Sequence, residues 1–355
     1  MVRAVRVVAL AACGLLAGSL AACGGGATAG SGGSGGSAES AGSGQTITVY
    51  NGQHEETTQA LVAAFERQTG IKVKVRSDSE SVLTAQILQE GSRSPADVIY
   101  TENSPPLTRL ADRHLLAPVS AGTLASVPAR YDSPADNWAG VSARVTVLVY
   151  NTQKLTPAQL PASALDLAGP QWKGKFGFAP TESDLQPVIT SITKARGQAA
   201  ALEWLKELKA NAGSNVYPDN ETIMAKVNSG QVQIALINNY YWYRLRLQLG
   251  AAAMHSAVAH LAPGDSGYVL DVSGAGVLAS SQHKAAAQKF VAFLVSAQGQ
   301  GIIARSDSYE YPLRPGIPAS GLLTPFSQLS PAPDTMADLG DGLMPLSLLQ
   351  RAQLG

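Results

Sequence analysis

The sequence predicts an α/β fold in two lobes, each a mixed, mainly parallel sheet flanked by helices. Three observations carry that expectation. Strand-like and helix-like patterns alternate along the chain from Thr46 onward, which favours strands covered by helices. Roughly 310 residues of globular texture exceed what one hydrophobic core usually holds. No Pro/Gly-rich linker interrupts the middle of the chain, so the lobes share strands and are not separate beads.

Residues 46–50 alternate as a strand, and Asn51-Gly52-Gln53-His54 turns into a helix. That helix places Leu61, Ala64 and Phe65 on one face and stops at Gly70. Ile71, Val73 and Val75 alternate in the next strand, completing a βαβ unit. A helix over 80–90 leads to an apolar strand over 97–100, followed by Thr101-Glu102. Beyond it, 145–150 reads as a strand, and 185–195 and 199–210 read as helices. Residues 220–228 form a helix, 232–237 a strand and 240–249 a helix. The strand-like stretches near Val145 and over 269–278 are the crossovers expected between lobes.

Composition narrows the function. Lys+Arg and Asp+Glu both number 26, so no basic field exists to attract nucleic acid. The apolar fraction of 45% supports a sizeable core. The two cysteines, Cys13 and Cys23, lie within the first 23 of 355 residues. The remaining chain therefore has no disulfide, no thiolate nucleophile and no cysteine-based zinc site.

Arg3 and Arg6 precede an apolar run from Val7 to Leu20, too short to span a bilayer, which reads as a signal peptide over 1–22. The run ends in Leu20-Ala21-Ala22-Cys23, which looks like a lipobox, with Cys23 the acylated residue. Leu10-Ala11-Ala12-Cys13 repeats the tetrapeptide after only three apolar residues, so Cys23 fits better. Residues 23–44 are nearly all Gly, Ser and Ala, the composition of a flexible tether. Gly32-Gly33-Ser34-Gly35-Gly36 fits a hydrolase elbow by letter only, because it sits between no strand and helix. His54-Glu55-Glu56-Thr57-Thr58 lacks the second His of a zinc-protease helix. No enzyme signature remains.

Polar groups cluster where strands end, which is where open α/β sheets collect ligands. His54 follows the first strand, Glu102 the strand over 97–100, and Tyr240 and Tyr241 the strand over 232–237. An imidazole, a carboxylate and two phenols form a nitrogen and oxygen donor set without sulfur, and phenolate suits Fe(III). Each residue has a plainer reading: a surface His, a solvated Glu or helix cap, and an aromatic packing block in Tyr240-Tyr241-Trp242-Tyr243.

Ile47-Thr48-Val49-Tyr50-Asn51-Gly52-Gln53-His54-Glu55 resembles the mature start of the bacterial ferric-ion-binding proteins. Pro95-Ala96-Asp97-Val98-Ile99-Tyr100-Thr101-Glu102 is similar to their second signature, and Ala235-Leu236-Ile237-Asn238-Asn239-Tyr240-Tyr241-Trp242-Tyr243 to their tyrosine-pair segment. Trp172-Lys173-Gly174-Lys175 and Glu310-Tyr311-Pro312-Leu313-Arg314 match further segments. The resemblance implies a type II periplasmic-binding-protein fold, closing on Fe(III) held by His54, Glu102, Tyr240 and Tyr241. It implies lobe 1 over 45–146 with a return over 271–320, lobe 2 over 147–270, and C-terminal helices over 321–355 on lobe 2. It also implies a small synergistic anion, phosphate or carbonate, with Asn220 and Asn238 matching its asparagine ligands. Asn220 reads equally as an N-cap of its helix.

The anion loop departs from the family pattern. Pro180-Thr181-Glu182-Ser183-Asp184-Leu185 is one residue shorter and carries two carboxylates, which repel phosphate. Three readings stay open: another anion, Glu182 or Asp184 on iron directly, or a loop that points away from the site.

The expected function is therefore a monomeric, lipid-anchored substrate-binding protein on the outer face of the cell membrane. It would capture ferric iron and pass it to an ABC transporter permease. The rivals are the same fold carrying a polyamine, thiamine or sugar phosphate, and a surface-tethered enzyme. On processing, Cys23→Ala should move the protein from the membrane fraction to the soluble fraction, whereas Cys13→Ala should leave it anchored; the reverse pattern would reassign the lipidation site.

Overall fold

A single 13-residue strand, Ala139–Asn151, runs buried from end to end through two sheets and organises the rest of the chain. The computed structural model describes residues 44–355. The signal peptide expected over 1–22, Cys23 and all but the end of the tether lie outside the described residues.

The first half of the chain contains β1 (Thr46–Gly52), α1 (Glu55–Thr69), β2 (Lys72–Ser77), α2 (Glu80–Glu90), β3 (Val98–Thr101), α3 (Ser104–Asp112), β4 (Leu116–Ala117), α4 (Ala121–Leu124) and β5 (Ala139–Asn151). It continues with β6 (Phe176–Gly177), α5 (Leu185–Arg196), α6 (Gln198–Ala212), α7 (Asn220–Asn228), β7 (Ile234–Asn238), α8 (Asn239–Leu249) and β8 (Ser256–Ala259). The last part holds β9 (Leu270–Leu278), α9 (Lys284–Leu294), α10 (Ala297–Arg305), β10 (Tyr311–Pro312), α11 (Met336–Leu339) and α12 (Leu343–Arg351).

One sheet has the order β2-β1-β3-β9-β5, with β4 on β9 and β10 on β5. The second is built from β6, β7, β5 and β8. Residues 139–145 of β5 pair with β9, and residues 146–150 pair with β7. The crossovers expected near Val145 and at 269–278 are the β5 transition and the start of β9, joined where the Thr146 amide donates to the Val269 carbonyl at 2.9 Å.

The expected mixed sheet flanked by helices is present, but its directions differ from the mainly parallel arrangement read from the sequence. Only β1–β2, β1–β3 and β6–β7 are parallel; the other six pairings are antiparallel. The reason is the crossover. Strands β5 and β9 return the chain between sheets, so they run against the βα units they join.

Helix α1 is built as its periodicity dictates. Leu61, Ala64 and Phe65 are buried, and Phe65 meets Phe290 of α9 edge-on at 5.1 Å. Burying side chains of this size contributes roughly 1.5–3 kcal/mol each. Gly70 ends the helix at φ 73°, a left-handed conformation in which its amide reaches the Glu66 carbonyl. At the other end of the chain, α12 packs on α5 and α6, and Lys209 Nζ donates to the Gln353 carbonyl at 2.8 Å.

The entry to β5 is fixed by Asp132, whose Oδ1 accepts the Gly140 amide at 2.8 Å. Burial, reinforced by Asp136, raises the Asp132 carboxyl to about 7. The folded chain thus holds this proton more tightly than the unfolded chain, and stability falls as pH rises from about 4 towards 7. Asp132→Asn keeps an acceptor for Gly140 and cannot ionise. It should stabilise the protein by about 2 kcal/mol at pH 8 and not at pH 4, as read from urea unfolding midpoints at the two pH values.

Candidate metal centre

His54 is presented by the turn between β1 and α1. Asn51 and Gln53 brace that turn: Asn51 Nδ2 donates to the Gln53 carbonyl at 2.8 Å, and Gln53 Oε1 accepts the His54 amide at 2.7 Å. His54 occupies the N-cap position of α1 without a side-chain capping bond, so the imidazole is free to face the cleft. Its Nδ1 lies 3.2 Å from Glu102 Oε1 and 3.2 Å from an Arg244 nitrogen. Its Nε2 is buried and has no hydrogen-bond partner. Burial, with Arg244 and Arg144 adding to it, pushes the imidazole down to about 3, so the ring is neutral and keeps a lone pair for a Lewis acid.

Glu102 follows β3, which lies between β1 and β9. Tyr240 and Tyr241 open α8 directly after β7. Asn239 holds that helix start in place, accepting the Val145 amide at 3.0 Å and donating to the Tyr309 carbonyl at 3.1 Å. The Tyr240 hydroxyl donates to Glu102 Oε2 at 3.3 Å, and its ring meets His54 edge-on at 4.9 Å. The four residues singled out from strand ends therefore converge, while the tyrosines also pack as an aromatic block, Tyr240 on Tyr241 at 4.3 Å and Trp242 on Tyr243 at 5.0 Å.

The loop with two carboxylates does not point away. Asp184 sits at the N-cap position of α5 but makes no capping bond, and its side chain turns into the cleft. Asp184 Oδ2 accepts from Tyr241 at 2.9 Å, Tyr240 at 3.2 Å and Asn220 at 3.1 Å. Glu182 is partly exposed and makes no side-chain hydrogen bond to the phenols, although it lines the same small cavity as Asp184 and Asn220; burial, Asp184 and Glu221 raise its carboxyl to about 8. The Ser183 hydroxyl accepts from Asn103 at 3.2 Å. Asn238 lines a cavity of about 10 Å³ with Asp184, Asn220 and Thr146. That volume suits roughly one water and not a phosphate. The N-cap reading of Asn220 is corrected as well: Asp219 caps α7 by accepting the Thr222 amide at 2.6 Å, which leaves Asn220 to bind Asp184.

Several participants escaped the sequence reading. Asn103 bridges Glu80 at 2.8 Å and Asp184 at 3.4 Å. Glu80 is buried, and burial raises its carboxyl to about 7 despite its bonds to Asn103. At the start of α2 it reads as a surface acid that complements the helix dipole, so no sequence signal marks it. Arg244 reaches from α8 to His54 and beside Glu221, and these residues border a cavity of about 370 Å³ that opens from His54 and Tyr241.

Electrostatics define what this arrangement accepts. Burial raises Glu102, and Asp184 adds to it. Burial likewise raises both phenols far above an ordinary tyrosine, followed by Asp184 and Glu102. In the free protein the phenols hold their protons and hydrogen-bond to carboxylates. Among the described residues no three His, Cys, Asp or Glu side chains form a metal cage by themselves, so the constellation depends on the phenols. Two carboxylates, two phenols and a neutral imidazole form a hard donor set that favours a small, highly charged cation.

Comparison with known proteins identifies the relatives of this chain. Residues 60–331 match the family model of bacterial extracellular solute-binding proteins. The chain is 42% identical over 293 residues to the major ferric iron-binding protein of Neisseria meningitidis, covering 82% of this chain and 87% of that one. It is 40% identical over 285 residues to the Fe(3+)-binding periplasmic protein of Serratia marcescens, covering 80% and 84%. The crystal structure of iron-bound HitA from Pseudomonas aeruginosa superposes with a TM-score of 0.83 at 44% identity, covering 87% of this chain and 99% of that one.

Proposed function

Because the chain belongs to the bacterial ferric-ion-binding protein family, a group of extracellular solute-binding proteins and not enzymes, we propose that it captures Fe(III) in the cleft between its two lobes. The observation that carries this reading is the convergence of Tyr240, Tyr241, Glu102 and Asp184 beside the unpartnered Nε2 of His54. His54 and Glu102 come from the lobe of residues 45–146 and 271–320. Tyr240, Tyr241 and Asp184 come from the lobe of residues 147–270, with 321–355 packed on it. A metal bridging the two sets would hold the lobes closed. Cys23 would tether the domain to the outer face of the cell membrane through its lipid. The monomeric domain then delivers iron to an ABC transporter permease. Among the described residues no helix is long and apolar enough to cross a membrane.

Asp184 takes the place of the exogenous phosphate or carbonate. Its carboxylate sits against both phenols and Asn220, the position from which an anion would complete the metal shell. Asn103, Ser183 and Asn238 support that placement, and Glu182 is a bystander.

Ferric loading must expel the phenolic protons, so affinity rises with pH and about two protons or more leave per iron. Titration of the unanchored domain should give a visible phenolate-to-iron band with that proton release. Tyr241→Phe keeps the ring but removes the oxygen, and should weaken and shift the band, leaving the Tyr240 contribution, and lower affinity at least a hundredfold. An unchanged band and affinity in both single Tyr→Phe variants would eliminate the site.

The role of the loop is tested separately in phosphate-free buffer. The unaltered protein and Glu182→Gln should bind iron equally well there, Asp184→Asn should weaken at least tenfold, and Asp184→Ala, which vacates the space of the carboxylate, should weaken likewise and regain affinity when phosphate is added. A phosphate requirement in the unaltered protein would assign the anion position to an exogenous ligand.

A further inference from the structure

Arg144 lies in β5 between Ser142 and Thr146, and alternation along the strand puts all three on one face. Thr146 lines the small cavity beside Asp184, and the Ser142 hydroxyl donates to Glu310 Oε2 at 2.6 Å, so this face is the floor beneath the metal centre. Among the described residues Arg144 is the sole lysine or arginine that is buried, against buried Glu80, Asp97, Asp132, Asp184, Asp271 and Glu310. It is fully buried, yet Nε, Nη1 and Nη2 all lack a hydrogen-bond partner. Its one ion pair, Nε to Glu310 Oε1, is 3.9 Å long, and that oxygen is itself unpartnered. Asp271 stands opposite on β9, but its Oδ1 is committed to the Ser104 hydroxyl at 2.6 Å and the Val272 amide at 2.7 Å.

A guanidinium in this position is an ion whose charge is not consumed by local bonds, in a medium that screens poorly. We propose that Arg144 is the fixed countercharge of the ferric centre, a positioning residue that touches no metal but sets how strongly the site prefers Fe(III) to Fe(II). This inference rests on the ferric reading above. Two carboxylates and two phenolates bring four negative charges against three on ferric iron, buried Glu310 and Asp271 add more, and among the described residues Arg144 is the one buried basic side chain set against them. Burial alone would pull the guanidinium down, but Glu310, Asp271, Tyr240 and Glu102 outweigh it and hold the charge in place. The same charge repels each positive charge added to the metal. It therefore weakens the ferric complex more than the ferrous one and raises the reduction potential.

The test is spectroelectrochemical titration of the iron-loaded protein, following the phenolate band. Arg144→Met should make the potential more negative by at least about 59 mV, a tenfold change in the ratio of ferrous to ferric dissociation constants. Arg144→Lys restores the charge without the guanidinium shape and should return most of that shift. Glu310→Gln removes the nearest opposing charge and should move the potential the other way, which keeps the test decisive if Arg144→Met does not fold. A potential unmoved in Arg144→Met, equal falls in the Met and Lys variants, or a negative shift in Glu310→Gln would overturn the inference while leaving ferric binding intact. Failure of the unaltered protein to form the coloured complex would remove both.

Discussion

Asp184 Oδ2 accepts from two phenols and an amide, with the Glu102 carboxylate on the far side of Tyr240, and the rest of the cleft follows from this crowding of acidic groups. Like-charged groups this close cannot all ionise in a dry cleft, and the protein relieves the conflict by keeping protons on the phenols and by making Glu102 hold its own proton more tightly. Each phenol then satisfies a carboxylate as a donor. That solution is stable only while no strong Lewis acid is present. A trivalent cation reverses it, because its charge compensates several ligands at once while a proton compensates one. A divalent ion compensates less, so the same crowding that raises the phenols also selects for charge.

Placement of these groups depends on β5. A strand shared by two sheets makes the two halves of the cleft continuous in backbone register, so Glu102 at the end of β3 and Tyr240 at the end of β7 face each other across it. The Asn239 side chain locks the start of α8 to β5 at Val145. The tyrosines are thereby referenced to the crossover itself and not to a surface loop. The two crossing segments are also where the lobes would flex, since nothing else in the sheets connects them.

Much of this was legible in the sequence. The helix from Glu55 to Thr69 announced itself through Leu61, Ala64, Phe65 and Gly70, and the helix Asn220–Asn228 and the strand-end positions of His54, Glu102, Tyr240 and Tyr241 were legible from periodicity. What stayed hidden shares a physical cause: direction and burial of polar side chains set by tertiary contacts. The helix-start position of Asp184 gives no hint that it forgoes its own cap for a cleft. Asn220 looked like a cap because Asp219 beside it is the residue that does the capping. Arg144 was invisible because an arginine just ahead of an apolar strand reads as the polar edge of that strand. In the fold it lies in the middle of a buried one. The antiparallel balance of the sheets was hidden in the same way, since strand direction at a crossover is a property of the partner and not of the segment.

A carboxylate supplied by the chain and an anion borrowed from solution are different devices even when they offer the same oxygen atoms. A borrowed anion must be captured with each metal ion, so the apparent affinity follows its concentration, and its loss offers a route to release. A built-in carboxylate pays its ordering entropy during folding and is present at high effective concentration whenever the lobes meet. Its disadvantage is that nothing dissociates to start the metal on its way out. Release must then come from opening the lobes, from reprotonating the phenols, or from lowering the charge of the metal. In the proposed site the first would separate His54 and Glu102 from Tyr240, Tyr241 and Asp184, and the second would be resisted by the bound cation. The third acts on the quantity that a guanidinium without hydrogen bonds beneath the site is placed to bias. A cleft that holds its own anion is thus better served by a fixed positive charge than one that can discard an anion.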